Sequence, residues 1–283
     1  MDQSRSSFFA KNRWHALLPH LILAVSFVFL YYPVLIGLFE DWKINENYSH
    51  GFFIPIVSGY MLFLLKDDLR TVAISPSLFG LPILLIGLAQ LYVGFVGSEY
   101  FLQRTSLVIV IIGIVLFIFG WKFLRKILFP VGYLLFMIPF PAIIWNKIAF
   151  PMQIFSSFVT EHVIRILGIP IFREGNILHL AQTTLEVVDA CSGLRSLMTL
   201  FALAAALSWF SGLSVARKWI LFLVAAPIAV LVNIVRLTAT AGLASVYGEQ
   251  VAQGFLHEFS GLFTFVFGLG LLVLAGRILR GRK

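Results

Sequence analysis

Apolar runs fill nearly the whole chain, and they limit what it can fold into more than any other feature. Of 283 residues, 60% are hydrophobic and 12% are charged, whereas a soluble domain is about 45–50% apolar and about 25% charged. A water-soluble fold cannot hide this much apolar surface, so the chain must fold in lipid. We predict an all-α polytopic membrane protein in which residues 1–283 form a single integral-membrane domain.

A helix needs about 20 apolar residues to cross a bilayer, within a range of about 17–25. Eight stretches fit, although those at 51–65 and 105–120 are short and need flanking residues. The predicted spans are residues 17–38, 51–65, 78–97, 105–120, 127–145, 190–210, 219–243 and 258–276. The first follows a basic segment but is too long for a signal peptide and has no small-residue cleavage pattern, so it is interpreted as an uncleaved helix.

The basic residues predict how the chain is oriented. Lys and Arg concentrate in the cytoplasmic loops of membrane proteins. With the N-terminus inside, fourteen of the 21 Lys and Arg residues fall in cytoplasmic segments and five in outer loops, while Arg195 and Arg236 lie within apolar runs. Both termini are therefore predicted to be cytoplasmic. The net charge of +8 then reflects topology, not a nucleic-acid-binding surface.

Two outer segments carry polar residues. The first, at 41–51, reads DWKINENYSHG. The second runs from about 146 to 189, and its first part has apolar residues at helical spacing, which predicts an amphipathic helix lying along the interface. Glu-Gly-Asn at 174–176 is a turn signal between two β-prone runs. A small outer amphipathic helix and a β-hairpin are therefore expected before the sixth span.

Arg236 is the charge that most needs an explanation. It lies in the outward half of the seventh predicted span, three residues after Asn233 and on the same helix face. A charged side chain at the bilayer centre costs about 2.5–3.5 kcal/mol on insertion scales, and such residues are functional candidates by default. The alternative is a structural arginine that snorkels to the outer interface or pairs with a buried carboxylate.

Cys191 is the only cysteine in the sequence. A single thiol forms no intramolecular disulfide and no zinc cluster, so no metal or other cofactor is expected. Cys191 is predicted at the outer N-terminus of the sixth span, where the helix dipole favours the thiolate. Arg195, one turn further on, adds positive charge. The alternative is an inert buried cysteine.

His257 opens the eighth predicted span at the same outer level. Alone, such a histidine is more often a capping or interfacial residue, but a thiol needs a base or an electropositive setting to act as a nucleophile. Imidazole titrates near neutrality and can supply that base. Cys191 as nucleophile, His257 as acid–base and Arg236 as oxyanion stabiliser would form a complete acyl-transfer set.

Six stretches, in order along the chain, resemble the exosortase/archaeosortase family. They are YSHGFFIP at 48–55, MIPFP at 137–141, GIPIFREGN at 168–176, LEVVDACSGLRSL at 185–197, NIVRLT at 233–238 and HEFSG at 257–261. By motif, the catalytic Cys, Arg and His of that family correspond to Cys191, Arg236 and His257.

The resemblance implies a membrane cysteine protease/transpeptidase of the bacterial inner membrane, with its active site at the periplasmic face. The expected partners are exported proteins with a C-terminal PEP-CTERM tail, made of a Pro-Glu-Pro motif, a transmembrane helix and a basic end. Cleavage through a thioester would transfer them to an acceptor such as a surface glycolipid, in systems linked to exopolysaccharide and biofilms.

Four further residues are candidates for substrate binding under this resemblance. Arg195 and Asn233, which neighbours Arg236, could engage the Glu of the sorting motif. Tyr48 and His50, in the first outer segment, could line the site. Simple anchoring at the membrane interface explains Tyr48 and His50 at least as well.

Other functions fit the sequence less completely. A transporter or channel would explain many spans and two intramembrane arginines, but there is no internal repeat and the polar residues gather near one face. A non-catalytic membrane factor for polysaccharide export would not require Cys191. Among other intramembrane proteases, a zinc HExxH site fails because Gly261 stands where the second His is needed. A second intrahelical aspartate and a G-x-S-x-G elbow are also missing from the sequence.

Overall fold

The fold is mostly helical, with one small sheet. The computed structural model describes residues 3–181, 183–187, 194–248 and 255–281. Its internal contacts divide the chain into two units. The first comprises Met1–Ile44 and Ala73–Leu124, and the second comprises Asn45–Val72 and Arg125–Lys283. The single integral-membrane domain over 1–283 stays a prediction.

Ten α-helices and three strands occur within the described ranges. The helices are α1 (Gln3–Ile44), α2 (Phe53–Leu64), α3 (Lys66–Arg70), α4 (Gly80–Val96), α5 (Tyr100–Phe119), α6 (Trp121–Tyr133), α7 (Ala142–Ile166), α8 (Leu194–Phe210), α9 (Val215–Tyr247) and α10 (Phe255–Arg280). Short 3-10 helices cover Glu46–Phe52 and Leu134–Met137. The strands are β1 (Ile171–Glu174), β2 (Ile177–Leu180) and β3 (Thr184–Glu186).

Three helices in the described part of the chain are long and apolar enough to cross a membrane alone. They are Leu21–Ile44 within α1, Tyr100–Phe119 and Val215–Tyr247. Trp121–Met137 and Ala142–Ile166 pass the same test together, as a pair bent by 80°. Length and composition therefore support three or four spans. The predicted total of about eight stays a prediction.

The predicted span at 127–145 is wrong as a continuous helix. The chain bends by 80° between the segment ending at Met137 and the start of α7 at Ala142. Pro139 and Pro141 explain this break, because proline lacks the N–H that the helix requires and disfavours a helical conformation in the residue before it. Ile138, before Pro139, is accordingly extended.

In the first unit, α4 and α5 form a closely packed antiparallel hairpin. Gly80, Gly87 and Gly94 recur every seven residues on α4, and a Cβ added at any of them would meet atoms of α5. On α5, a Cβ at Gly113 would lie 2.6 Å from the backbone nitrogen of Leu84. Small residues let helix backbones approach in lipid, where packing has to replace the hydrophobic effect. The hairpin therefore depends on these glycines.

Polar contacts join α1 to α5 within the same unit. The Tyr31 and Ser106 hydroxyls form a buried hydrogen bond of 3.0 Å. The buried guanidinium of Arg104 lies 2.6 Å from the Asp41 carboxylate. Both pairs satisfy groups that would otherwise be costly to hold in an apolar environment.

In the second unit, α8, α9 and α10 form an antiparallel bundle. The hydroxyl of Ser208 donates to the carbonyl of Lys218 across the α8–α9 turn, at 3.1 Å. Arg280, the last residue of α10, donates to the carbonyl of Ser211 in that turn, at 3.0 Å. Gly268 of α10 packs near Leu200 of α8 and Val232 of α9. The starts of α8 and α10 therefore lie at the same end of the bundle as the C-terminal half of α9.

The small sheet is fixed to two helices of this unit. β1 and β2 pair antiparallel around a turn in which Gly175 has a φ of +63°, and β3 adds to β2 as a third strand beyond the predicted hairpin. Its apolar face packs on α7 and α9. This core consists of Ile164, Ile171, Leu178, Leu180, Val187, Leu237, Ala241 and Ala244.

The close contact between α4 and α5 predicts that alanine substitutions at two glycines have different effects on stability. Gly113→Ala should lower the free energy of unfolding by about 1–3 kcal/mol, because the new methyl group overpacks a backbone contact. Gly270→Ala is the control, because a Cβ there meets nothing within 4 Å and alanine favours a helix. Thermal unfolding in detergent measures both, and equal effects would contradict the glycine contact.

Candidate functional site

One side of α7, in the second unit, carries buried polar residues. We call this side the polar face of α7, and it consists of Gln153, Ser156, Ser157, Thr160 and Glu161. Their spacing puts them on one side of the helix. Phe150, Phe155 and Phe158 of the same helix are exposed, so α7 has polar groups inside and aromatic groups outside. In lipid this is the favourable arrangement, since unpaired polar groups there are expensive.

The α9 helix supplies two buried polar residues to this region. Asn233 is 3% exposed and Arg236 is 8% exposed. The amide nitrogen of Asn233 donates to the Ser156 hydroxyl at 3.3 Å, which joins α9 to the polar face of α7. Arg236, one turn on, is buried together with Asn233 and also makes contacts within the fold. A guanidinium held this way is a preorganised donor for a developing negative charge.

Two buried hydroxyls in this region have hydrogen-bonding capacity to spare. Thr160 of α7 and Thr238 of α9 each bury a hydroxyl oxygen with no hydrogen-bond partner in the described structure. A buried hydroxyl left unpaired costs about 1–3 kcal/mol. Such atoms are rare in folded proteins and need an explanation. The Thr160 and Thr238 hydroxyls can therefore still form hydrogen bonds, in the same unit that contains Arg236.

Glu161 links the polar face of α7 to the sheet. One carboxylate oxygen lies 2.8 Å from Arg165 on the next turn, and the other lies 3.2 Å from Arg173 on β1. Arg173 also donates to the carbonyl of Gly175, at 2.8 Å. The turn of the hairpin is therefore anchored to α7 through a mostly buried carboxylate.

Three predicted site residues lie on the same side of the level at which Gly268 of α10 meets Leu200 of α8 and Val232 of α9. At 1.5 Å per residue, Arg236 lies roughly 6 Å beyond Val232 along α9, and Arg195 lies roughly 7 Å before Leu200 along α8. His257 lies roughly 16 Å before Gly268 along α10. All three displacements point to the same end of the bundle. His257 is the furthest along, by about two helical turns relative to Arg236.

Tyr48 and His50 contact the broken helix between α6 and α7. The Tyr48 hydroxyl accepts a hydrogen bond from the backbone N–H of Phe140 at 3.0 Å. His50 donates through Nε2 to the carbonyl of Phe136 at 3.2 Å. Both therefore satisfy backbone groups that the proline break leaves outside a helix. These contacts give the two residues a structural role, and substrate binding by them stays a prediction.

Burial disfavours the charged form of His50. Nε2 carries the proton that it donates to Phe136, while Nδ1 is buried without a hydrogen-bond partner in the structure as described. Burial lowers the pKa of His50 below its usual value of 6.5, and the backbone interactions with Phe136 and Asn47 oppose this only in part. Protonation of the ring would create a cation in a buried setting, which desolvation disfavours.

Comparison with protein families identifies the chain. Residues 42–274 match the model of the transmembrane exosortases (Exosortase_EpsH). The chain belongs to this family. The exosortase family is one of cysteine-type transpeptidases that act on secreted proteins with C-terminal sorting signals. Comparison with curated proteins and with solved structures gave no match.

The exosortase match covers all seven residues that the sequence predicts for the site. Four have described side chains, and of these Asn233 and Arg236 lie together on α9, while Tyr48 and His50 lie together beside the broken helix. Cys191 lies outside the described residues. The backbones of Arg195 and His257 belong to α8 and α10, and their side chains lie outside the described part of the structure.

Sequence reasoning missed the polar face of α7. The signal was present as polar residues at 153, 156, 157, 160 and 161, which follow helical spacing. The apolar residues predicted an amphipathic helix along the interface, but the burial of Glu161 was not predicted. Among the described residues, no group of three or more His, Cys, Asp or Glu could hold a metal ion.

The Glu161 anchor can be tested by local stability. Glu161→Gln should weaken both ion pairs and raise hydrogen exchange in 171–180, because Arg173 then lacks its buried carboxylate. Glu174→Gln is the control, since Glu174 lies on the same strand but its side chain is 77% exposed. Unchanged exchange in the Glu161 variant would contradict the anchor.

The buried His50 predicts a pH dependence of stability. Its folded pKa is below that of the unfolded chain, so its contribution is complete above about pH 6.5 and is lost as the pH falls below that value. His50→Gln should flatten this slope in thermal unfolding curves, because glutamine retains a donor but takes up no proton. An unchanged slope in His50→Gln contradicts the assignment.

Proposed function

We propose that this exosortase-family protein is a cysteine transpeptidase that cleaves a C-terminal PEP-CTERM-type tail from exported proteins. The observation that supports this most is the buried Arg236 beside Asn233 on α9. It lies at the end of the bundle where α8 and α10 begin. Helix α8 starts three residues after Cys191, and α10 contains His257. A charge buried within an apolar helix is expensive to hold, and such residues are functional candidates by default.

The positions of the residues on either side of Cys191 support its assignment as the nucleophile. Val187, four residues earlier, is buried in the core that contains Leu237, the residue after Arg236. Leu194, three residues later, begins α8, which packs on α9. The segment that contains Cys191 is therefore tethered on both sides to elements that contact α9.

The proposed reaction is acyl transfer in two steps. The Cys191 thiolate attacks the scissile carbonyl, and Arg236 stabilises the resulting oxyanion. His257 protonates the amine as the C–N bond breaks, which leaves a thioester between Cys191 and the exported protein. His257 then removes a proton from the incoming amine, hydroxyl or water, whose attack on the thioester releases the thiolate.

The setting around Arg236 fits this chemistry. Charge interactions are stronger where water is excluded, and Arg236 is almost completely buried. Asn233 is fixed by Ser156 and can help to orient groups near Arg236. In this proposal Arg195 and Asn233 bind the Glu of the sorting motif, while Tyr48 and His50 support the backbone of the proline break before α7.

The proposed location is the bacterial inner membrane, with both termini cytoplasmic and the active site periplasmic. The acceptor in this proposal is a surface glycolipid, in a system linked to exopolysaccharide. The position of the basic residues supports this orientation. Arg280 contacts the α8–α9 turn, which is followed by Arg217 and Lys218, so these predicted cytoplasmic residues gather at the bundle end opposite Arg236.

The proposal is tested by co-expression with a protein that has a PEP-CTERM tail, followed by mass spectrometry of its new C-terminus. Cys191→Ala and His257→Ala should abolish processing. Arg236→Lys should slow it by about 100- to 1000-fold, as expected for loss of an oxyanion donor. Arg165→Lys is the matched control, because Arg165 is half-exposed and is paired with Glu161.

A second measurement uses the single thiol. A membrane-impermeant maleimide should label Cys191 from the periplasmic side, and the Cys191→Ala variant should remain inserted and unlabelled. Processing retained in Cys191→Ala would refute the nucleophile. A non-catalytic export factor would retain its function in this variant, and a transporter would show uptake that does not depend on Cys191.

A further inference from the structure

A cavity between α6, α8 and α9 lies away from the proposed active site. It has a volume of about 590 Å³, and its wall is mainly aromatic and aliphatic. Trp209 and Trp219 line it, together with Tyr133 and Phe136. Two cations, Arg125 of α6 and Lys218 of α9, belong to the same lining. The cavity therefore combines a large apolar interior with a concentrated positive charge.

The cavity lies toward the end of the bundle that carries the α8–α9 turn. Ser208 and Lys218 both line it, and they are hydrogen-bonded to each other across that turn. Tryptophan is enriched where a membrane meets water. The two tryptophans and two cations thus mark the cavity as a site at headgroup depth, with its apolar part facing the acyl chains.

The two cations have no carboxylate partner within the described ranges. Asp68 pairs with Lys126, the neighbour of Arg125, at 3.6 Å. None of the ion pairs between described residues includes Arg125 or Lys218. Basic pockets between transmembrane helices on the cytoplasmic side bind anionic lipid headgroups. The basic end of a sorting tail would be repelled at the same place.

We propose that this cavity binds an anionic phospholipid of the surrounding leaflet. Its phosphate lies between Arg125 and Lys218, and its acyl chains fill the apolar part against Tyr133 and Phe136. The bound lipid bridges α6 to α8 and α9, so it stabilises the second unit. This inference goes beyond the proposed transpeptidase function and does not depend on Cys191.

Gly132 offers a way to fill the cavity without changing its charge. It lines the cavity, and a Cβ added there meets no atom within 4 Å. Gly132→Leu should therefore fold normally and occupy space that the acyl chains need. Gly270→Leu is the matched control, because Gly270 is equally open but lies on α10, outside the cavity lining.

The experiment uses the full chain in nanodiscs that contain phosphatidylglycerol or phosphatidylcholine, and native mass spectrometry counts the lipids retained after release. Wild type should retain phosphatidylglycerol in preference. Arg125→Gln and Lys218→Gln should each reduce that preference about fivefold, the size expected for one cation near a charged surface. Lys122→Gln, an exposed cation of α6 outside the cavity lining, should leave it unchanged.

Several outcomes would overturn the proposal. Equal retention of the two lipids by wild type would do so, as would equal losses in Lys122→Gln and Lys218→Gln. Retention unchanged in Gly132→Leu would show that the lipid binds elsewhere. If Gly132→Leu instead blocks processing of a tailed protein and leaves lipid retention intact, the cavity accepts the sorting tail and not a lipid.

Discussion

The burial of polar groups between α7 and α9 is the constraint on which the second unit depends. Asn233 is satisfied inside an apolar unit because α7 turns its own polar face inward, and the hydrogen bond between Asn233 and Ser156 shows how the two helices meet. Glu161, at the end of that face, then holds the sheet. One arrangement of polar groups thus fixes α7, α9 and the strands that lead toward Cys191.

The proline break between α6 and α7 creates a second problem of the same kind. A bend of 80° inside apolar sequence leaves peptide groups that no helix satisfies, and in lipid these need partners from the protein. Tyr48 and His50 supply such partners from positions 92 and 86 residues earlier in the chain. The segment at 41–51 is therefore part of the support of α7, which in turn holds Asn233 in place.

The sequence predicted the helical membrane class, the burial of Arg236 and the turn at 174–176, because hydropathy and turn chemistry are local signals. It missed the break at Pro139 and Pro141, since an average over an apolar window does not register two residues that lack an N–H. It also did not identify the buried polar face of α7, to which Glu161 belongs. Which face of an amphipathic helix is buried depends on partners such as Arg173 and Asn233, and those contacts are long-range.

The polar face of α7 has a consequence for how the protein is made. Ser156 is synthesised 77 residues before its partner Asn233. At a translation rate of about 5–20 residues per second, α7 waits about 4–15 s for α9 to emerge. During that interval Ser156 lacks Asn233, its partner in the folded protein, so the nascent helix should rest at the bilayer surface. The order of synthesis thus obliges α7 to enter its final position late, together with α9.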